Sequence, residues 1–391
     1  MPILAIDGFP PSVQLIGHMN LFQSSDKWRV RWINWRNGIV GNPAFQRFAA
    51  HFPLTRPVAR RRARAIFDLV AGFTFSQILV ACVELGLFDR LAAGPVAVES
   101  LAGEWRMTRD AADRLLRAAA AIGMVEPVGA DCWALAADGA ALRANGGVVE
   151  MIAHHKLLYA DLADPVALLR RGGGGGTLQA FWRYAGAAGE GSADEVAPYS
   201  RLMAASQPLV AHDVIAAYPF ARHRRMLDIG GGEGRFVRSV AAAVPGIELG
   251  LFDLPAVVAR AGAALAADGL GKRLSTHGGN FLADPLPPGY DLVTLVRVLH
   301  DHDDAPAAQL LRNIHAALPQ HGRLVIAEPM AQTRGAETIG DAYFGLYLWA
   351  MGSGRPRSAD AIRAMLKAAG FRRSWSVTTA LPINVRVIVA V

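Results

Sequence analysis

From Pro208 onward the chain repeats one unit, a short apolar run followed by a longer segment with helical spacing. Strands are predicted over Arg225–Ile229, Ile247–Phe252, Asp291–Val296 and Arg323–Glu328. Runs that are apolar throughout and separated by helices fold as a parallel, doubly wound α/β sheet covered on both faces. The last segment, Val385–Val391, is predicted to return as an antiparallel edge strand.

The first strand runs straight into Gly230, Gly232 and Gly234 and then a helix. Glycines there let the backbone turn tightly and approach a ligand without an intervening Cβ. The spacing is Gly-x-Gly-x-Gly, whereas a dinucleotide fingerprint needs Gly-x-Gly-x-x-Gly and finds Arg235 at its third position. Asp253 ends the next strand, where a carboxylate can accept from both ribose hydroxyls or cap the helix that follows. Asp228, inside the first strand, is placed to hold the loop amides or meet a cofactor amino group.

A chain of 391 residues is long enough for two cores. Its 52% hydrophobic and 19% charged residues exclude the disordered class. Cys82 and Cys132 fit neither zinc nor redox spacing, so a reducing cytoplasm is expected and no metal site. The first basic residue is Lys27, which argues against a signal peptide. Lys27 to Arg64 holds ten basic residues and no acidic one; without those ten, the formal +7 becomes −3. The basic character therefore describes one segment.

Three divisions are expected: a basic, Trp-rich arm over 1–59, a helical module over 60–204 and the sheet domain over 205–391. Arg60 to Leu91 has apolar residues at helical intervals, enough for one or two helices. Its most apolar window, Ala65–Val83, is interrupted by Asp68, Thr74, Ser76 and Gln77, and reads as a helix buried between subunits or domains. Val98 to Leu135 has the order of a winged helix-turn-helix: a helix near Glu99–Glu104, another over Thr108–Ile122 closed by Gly123, and a hairpin carrying Trp133. Gly172 to Gly176 reads as a flexible inserted loop.

Five segments occur in order: Leu227-Asp-Ile-Gly-Gly-Gly-Glu-Gly, Phe252-Asp-Leu-Pro, Gly279-Asn-Phe, Val298-Leu-His-Asp and Val325-Ile-Ala-Glu. With them the chain resembles the S-adenosylmethionine-dependent O-methyltransferases of plant phenolic and bacterial small-molecule metabolism, from about residue 60 onward. The resemblance implies a Rossmann-like methyltransferase domain behind a helical, winged-helix dimerisation domain, and hence a homodimer. It implies S-adenosyl-L-methionine as cofactor, leaving as S-adenosyl-L-homocysteine, held by Asp228, Gly230, Gly232, Gly234, Asp253, Leu254, Asn280 and Phe281. Asn280 stands where the family commonly has Asp, and its amide oxygen can still accept from adenine.

The family's general base falls on His300, and an imidazole titrating near neutrality suits removal of a hydroxyl proton. Glu328 is the family's carboxylate partner, expected to fix the ring's tautomer. Pro356 replaces a second glutamate of the phenolic enzymes, and His302 reads as a surface loop residue. The helix that faces the acceptor carries Tyr343, Phe344, Tyr347, Trp349 and Met351, a large apolar lining or, alternatively, ordinary core packing.

Phe52-Pro-Leu-Thr-Arg-Pro-Val-Ala-Arg-Arg-Arg, Tyr159-Ala-Asp-Leu-Ala-Asp-Pro-Val and Gly354-Arg-Pro-Arg-Ser look similar to one subgroup, the carotenoid O-methyltransferases of purple photosynthetic bacteria. That resemblance implies the 1-hydroxyl of an acyclic carotenoid as acceptor. A bacteriochlorophyll precursor or a polyketide phenol is the alternative. The arm's Trp28, Trp32 and Trp35 with their basic neighbours suit the cytoplasmic face of a membrane, or wrap a neighbouring subunit. A winged-helix regulator is the alternative of another class. However, Arg109, Arg114 and Arg117 are balanced by Asp110 and Asp113, and no nucleic-acid partner is expected.

Overall fold

The computed structural model describes residues 24–186, 202 and 207–391. The remainder of the arm, and the division expected at 204/205, lie outside the described residues. The chain falls into two compact units that meet at Gln77 and Ile78, inside one long helix.

The first unit is helical. Ser24–Val40 and Pro43–His51 form two helices, the second capped by Asn42, whose side chain accepts from Ala44 N at 2.8 Å. The third helix, Arg56–Glu84, is long and apolar enough by composition to cross a membrane. Read from sequence as buried between subunits or domains, it leaves Ile66, Phe67, Leu69, Val70 and Phe73 exposed in the single chain, a face that a second subunit would cover. Gly86, at φ 63°, then breaks the helical path before Leu87–Ala92.

The second unit begins with the winged-helix module. Its three-stranded sheet joins β1 (Val96–Ala97), β2 (Val125–Val128) and β3 (Cys132–Leu135) in the order β1-β3-β2. Thr108 caps the Arg109–Ala121 helix through Ala111 N, and Gly123 (φ 80°) with the Met124 N to Ala119 O bond of 2.9 Å ends it. Arg114 and Arg117 pair with Asp110 and Asp113 one turn earlier, and Arg109 pairs with Glu99 and Asp131. The helix therefore presents neutralised arginines.

The large sheet comprises β4 (Arg225–Ile229), β5 (Glu248–Asp253), β6 (Leu274–Gly278), β7 (Leu292–Val296), β8 (Arg323–Glu328), β9 (Ser374–Val377) and β10 (Arg386–Ala390). Their order is β6-β5-β4-β7-β8-β10-β9, with β6 to β8 parallel and β10 antiparallel to both neighbours. The terminal strand is thus antiparallel, as read from sequence, but it is not the edge: β9 covers it. Alternate residues feed two cores, Met226, Leu249 and Val325 on one face and Leu227, Val293 and Ile326 on the other. Strand order reverses at β4, between β5 and β7, where such sheets open a ligand crevice at their carboxyl ends.

The glycine run after Arg171 is a docked turn and not a loose insertion. Gly174 N donates to Trp349 O at 2.8 Å, and a Cβ on Gly173 would stand 2.5 Å from the same oxygen. Asp161 fills the place a Gly176 side chain would need and accepts from Thr177 N and Leu178 N, capping the Thr177–Gly186 helix. Glycine is required there by close approach.

Candidate active site

A cavity of about 470 Å³ opens at the carboxyl ends of β4, β5 and β7. Gly230 and Gly232 line it at φ 68° and 55°. A Cβ at 230 would press 2.9 Å from Val298. Gly232 N donates to Asp253 Oδ2 at 2.8 Å and Leu254 N to Oδ1 at 2.7 Å, so the acid at the end of β5 ties the glycine turn to the next helix. Each oxygen keeps a further lone pair toward the cavity that Asp253 lines. Burial raises its carboxyl above the usual range.

Three residues expected at the cofactor do not line the cavity. Asp228 lies beneath the turn, with Oδ1 accepting from Thr294 Oγ1 at 2.6 Å and Oδ2 lacking a hydrogen-bond partner. Burial pushes it up to about 7, and it does not line the cavity. Gly234 (φ 71°) starts the Arg235–Ala243 helix and lets Leu265 approach, a packing role. Asn280 is exposed: its Oδ1 accepts from Leu282 N at 3.0 Å and its N donates to Asp284, a local turn that keeps the amide off the cavity. Phe281 and Leu254 do line the cavity.

His300 sits on a single helical turn, Leu299–Asp301, that follows β7 through Arg297 at φ 57°. Four bonds from three residues fix this turn by its main chain. Glu328 Oε2 accepts from His300 N at 3.0 Å, and Arg355 N donates to His300 O at 2.9 Å. Arg357, buried, donates to Leu299 O at 3.0 Å, to His302 O at 2.7 Å and to Asp304 Oδ1. Gly354 (φ 83°) allows the approach, since a Cβ there would meet His300 O at 2.2 Å.

Glu328 thus serves the backbone of His300 and makes no hydrogen bond to its ring, contrary to the expected tautomer-fixing contact. His300 Nδ1 and Glu328 Oε1 are both buried without a hydrogen-bond partner. Burial, helped by Arg297 and Arg357, pushes the imidazole down to about 3, and burial pushes Glu328 up to about 8. At neutral pH both are uncharged in the free protein, so the buried ring does not titrate near neutrality as expected from sequence. Asp301 Oδ1 lies 3.4 Å from His300 Nε2; burial raises that carboxyl, although two-fifths of the side chain remains open.

Tyr343, Phe344, Tyr347 and Met351 line the cavity with His300. A π-helical turn, Thr338–Tyr343, feeds the Phe344–Met351 helix and sets its phase. Trp349 is the exception: at about 100° per residue it lies on the far face from Tyr347, with its ring over Gly173, and does not line the cavity. Sequence reasoning missed Met151 and Trp182, which reach the cavity from the Gly146–Asp161 and Thr177–Gly186 helices. It also misplaced His302, which lines the cavity with its ring 5.3 Å from that of Phe281.

Residues 159–372 match the O-methyltransferase domain family, and residues 67–139 match the O-methyltransferase dimerisation domain. The chain belongs to the O-methyltransferase family. This O-methyltransferase is 41% identical over 334 residues to a demethylspheroidene O-methyltransferase of Cereibacter sphaeroides, covering 85% of this chain and 88% of that one. It is 39% identical over 359 residues to the Rhodobacter capsulatus protein of the same name, covering 92% and 89%. A solved structure of CalO1, a methyltransferase in calicheamicin biosynthesis in its SAH-bound form, superposes with TM-score 0.70 at 26% identity, covering 85% and 98%. The O-methyltransferase is S-adenosylmethionine-dependent, and the segment 67–139 is the family's dimerisation domain. The open backbone at Gly232, where a Cβ would meet nothing, and the Asp253 carboxylate beside it fit an adenosyl group.

Proposed function

We propose that this O-methyltransferase methylates the 1-hydroxyl of an acyclic carotenoid of the hydroxyneurosporene or demethylspheroidene type. The observation that carries the reading is the aromatic wall of Tyr343, Phe344 and Tyr347 beside His300, with the Phe344 ring 5.7 Å from the imidazole, in a chain similar over most of its length to two demethylspheroidene O-methyltransferases. A cavity of about 470 Å³ has the size of a site for one drug-sized ligand, so a long polyene enters by its end.

In this reading Asp253 accepts from the ribose hydroxyls, and Gly230, Gly232, Leu254 and Phe281 shape the adenosyl site. Bound S-adenosylmethionine supplies a methyl group on a cationic sulfur. His300 accepts the hydroxyl proton as the oxygen attacks, and Glu328 holds the turn that aims the ring. A tertiary alcohol is a weak acid, so alignment and exclusion of water by the aromatic wall supply much of the acceleration.

The arm is read as a membrane-surface anchor for a bilayer-borne acceptor. Trp28, Trp32 and Trp35 recur at helical spacing on Ser24–Val40, are 67%, 49% and 64% exposed, and stand among Arg29, Arg31 and Arg36. Flotation with anionic liposomes tests it: protein that stays unbound at low salt removes the anchor and favours an arm that wraps a neighbouring subunit.

The acceptor is tested with purified protein and labelled S-adenosylmethionine against hydroxylated carotenoids, bacteriochlorophyll precursors and phenols. Label is expected in the carotenoids. Label confined to phenols or to tetrapyrroles overturns the assignment.

A further inference from the structure

Tyr343 and Tyr347 both line the cavity, yet neither hydroxyl is left for the acceptor. Tyr347 Oη lies 2.7 Å from His154 Nε2 and accepts from Trp182 Nε1 at 3.0 Å. An indole N–H only donates, and the tyrosine's own hydrogen can then go to His154 Nε2. That requires a neutral ring with its proton on Nδ1, and burial lowers His154 to about 4. Tyr347 Oη then donates once and accepts once. Tyr343 Oη lies 2.7 Å from His155 Nε2 and 3.5 Å from Met151 Sδ. Burial also keeps both phenols protonated, their pKa values raised.

The geometry is a two-by-two match between helices. His154 and His155 are adjacent on Gly146–Asp161; Tyr343 and Tyr347 are one turn apart where the π-helical turn meets Phe344–Met351. The ring pairs stand 6.0 Å and 5.5 Å apart between centroids. Among the described residues, no contact of His154 or His155 reaches the Leu299–Asp301 turn, so they stand apart from the methyl-transfer chemistry.

We propose that His154 and His155 are specificity-determining positioning residues, which engage the hydroxyls of Tyr347 and Tyr343 so that this wall offers the acceptor aromatic faces and no free donor. The acceptor class it selects is a hydrocarbon with one polar group, presented at His300. This rests on the proposed function for the identity of the acceptor, while the coupling of the pairs does not. Without its histidine, Tyr347 Oη keeps only the Trp182 donor and Tyr343 Oη only the weak Met151 Sδ acceptor, and a hydroxyl left under-satisfied beside an apolar acceptor weakens binding by about tenfold.

The test measures kcat and KM for variants on whichever acceptor the native protein turns over, so a wrong acceptor assignment is read from native turnover alone. For a hydroxylated polyene, His155→Leu and His154→Leu are each expected to raise KM about tenfold with kcat within about threefold. Affinity for S-adenosylhomocysteine, by calorimetry, should be unchanged, reporting an intact fold. Adding Tyr343→Phe to His155→Leu, or Tyr347→Phe to His154→Leu, should bring KM back toward native. His155→Asn, which still offers the hydroxyl an amide, should hold KM near native. Unchanged KM in the leucine variants, or purely additive effects in the double variants with cofactor affinity intact, overturns the proposal.

Discussion

Glu328 holds His300 by its main chain: Oε2 accepts from the histidine N–H at 3.0 Å, 28 residues away in sequence. What this bond fixes is the path of the turn, and so the direction of the ring. Glu328→Gln preserves an acceptor oxygen and is expected to keep kcat within about tenfold, whereas Glu328→Ala releases the turn and costs about a hundredfold. His300→Ala should lose on the order of 10²–10⁴ in kcat with cofactor affinity unchanged. Steady-state kinetics with calorimetry of S-adenosylhomocysteine check all three; full activity in His300→Ala removes the base from the reaction.

The same pair gives stability a defined pH dependence. Glu328 is raised from 4.5 to about 8, so the stability it contributes is fully present below about pH 4.5 and is lost as pH rises through 8. His300 is lowered from 6.5 to about 3, so its contribution is present above pH 6.5 and is lost as pH falls toward 3. Glu328→Gln cannot ionise, and its Tm should fall less than that of the native protein between pH 5.5 and 8.5. An equal fall in both would show that Glu328 is already ionised at the lower pH.

Arg357 tests the other side of the turn. Arg357→Met removes the donor to His302 O, leaves Leu299 O with only the long bond from His302 N, and should cost on the order of 2–3 kcal/mol in denaturant unfolding. Arg355→Met removes only an exposed guanidinium near Asp304 and should change stability by less than about 0.5 kcal/mol. Equal losses would place the clamp elsewhere.

Asp253 both bridges Gly232 to Leu254 and faces the cavity. Asp253→Asn keeps an acceptor for one amide and loses charge; Asp253→Ala loses both bonds. Affinity for S-adenosylhomocysteine should fall in that order, by about 10-fold or more in the alanine variant. Calorimetry that finds native affinity in Asp253→Ala would remove this residue from the cofactor site.

Much of the sheet was readable because the middles of β4 and β8 are buried on both faces and so are mostly apolar. β6, Leu274–Gly278, is polar and largely exposed, and β9, Ser374–Val377, carries two serines; nothing in their composition separates them from loops. The glycine turn and Asp253 were readable because their chemistry is local. Trp349 was misread by treating one aromatic run as one lining, although a two-residue step from Tyr347 turns about 200° around a helix. His154 and His155 carry no sequence signal, since their partners stand 193 and 188 residues away.

Every bond that fixes the Leu299–Asp301 turn through Glu328, Arg355 and Arg357 ends on a main-chain atom, which any amino acid but proline would supply. The side chain at position 300 is therefore a guest in a prebuilt socket. A single codon change there alters the reagent and leaves the mount standing, so evolution can try new acceptor chemistry on this frame without rebuilding it.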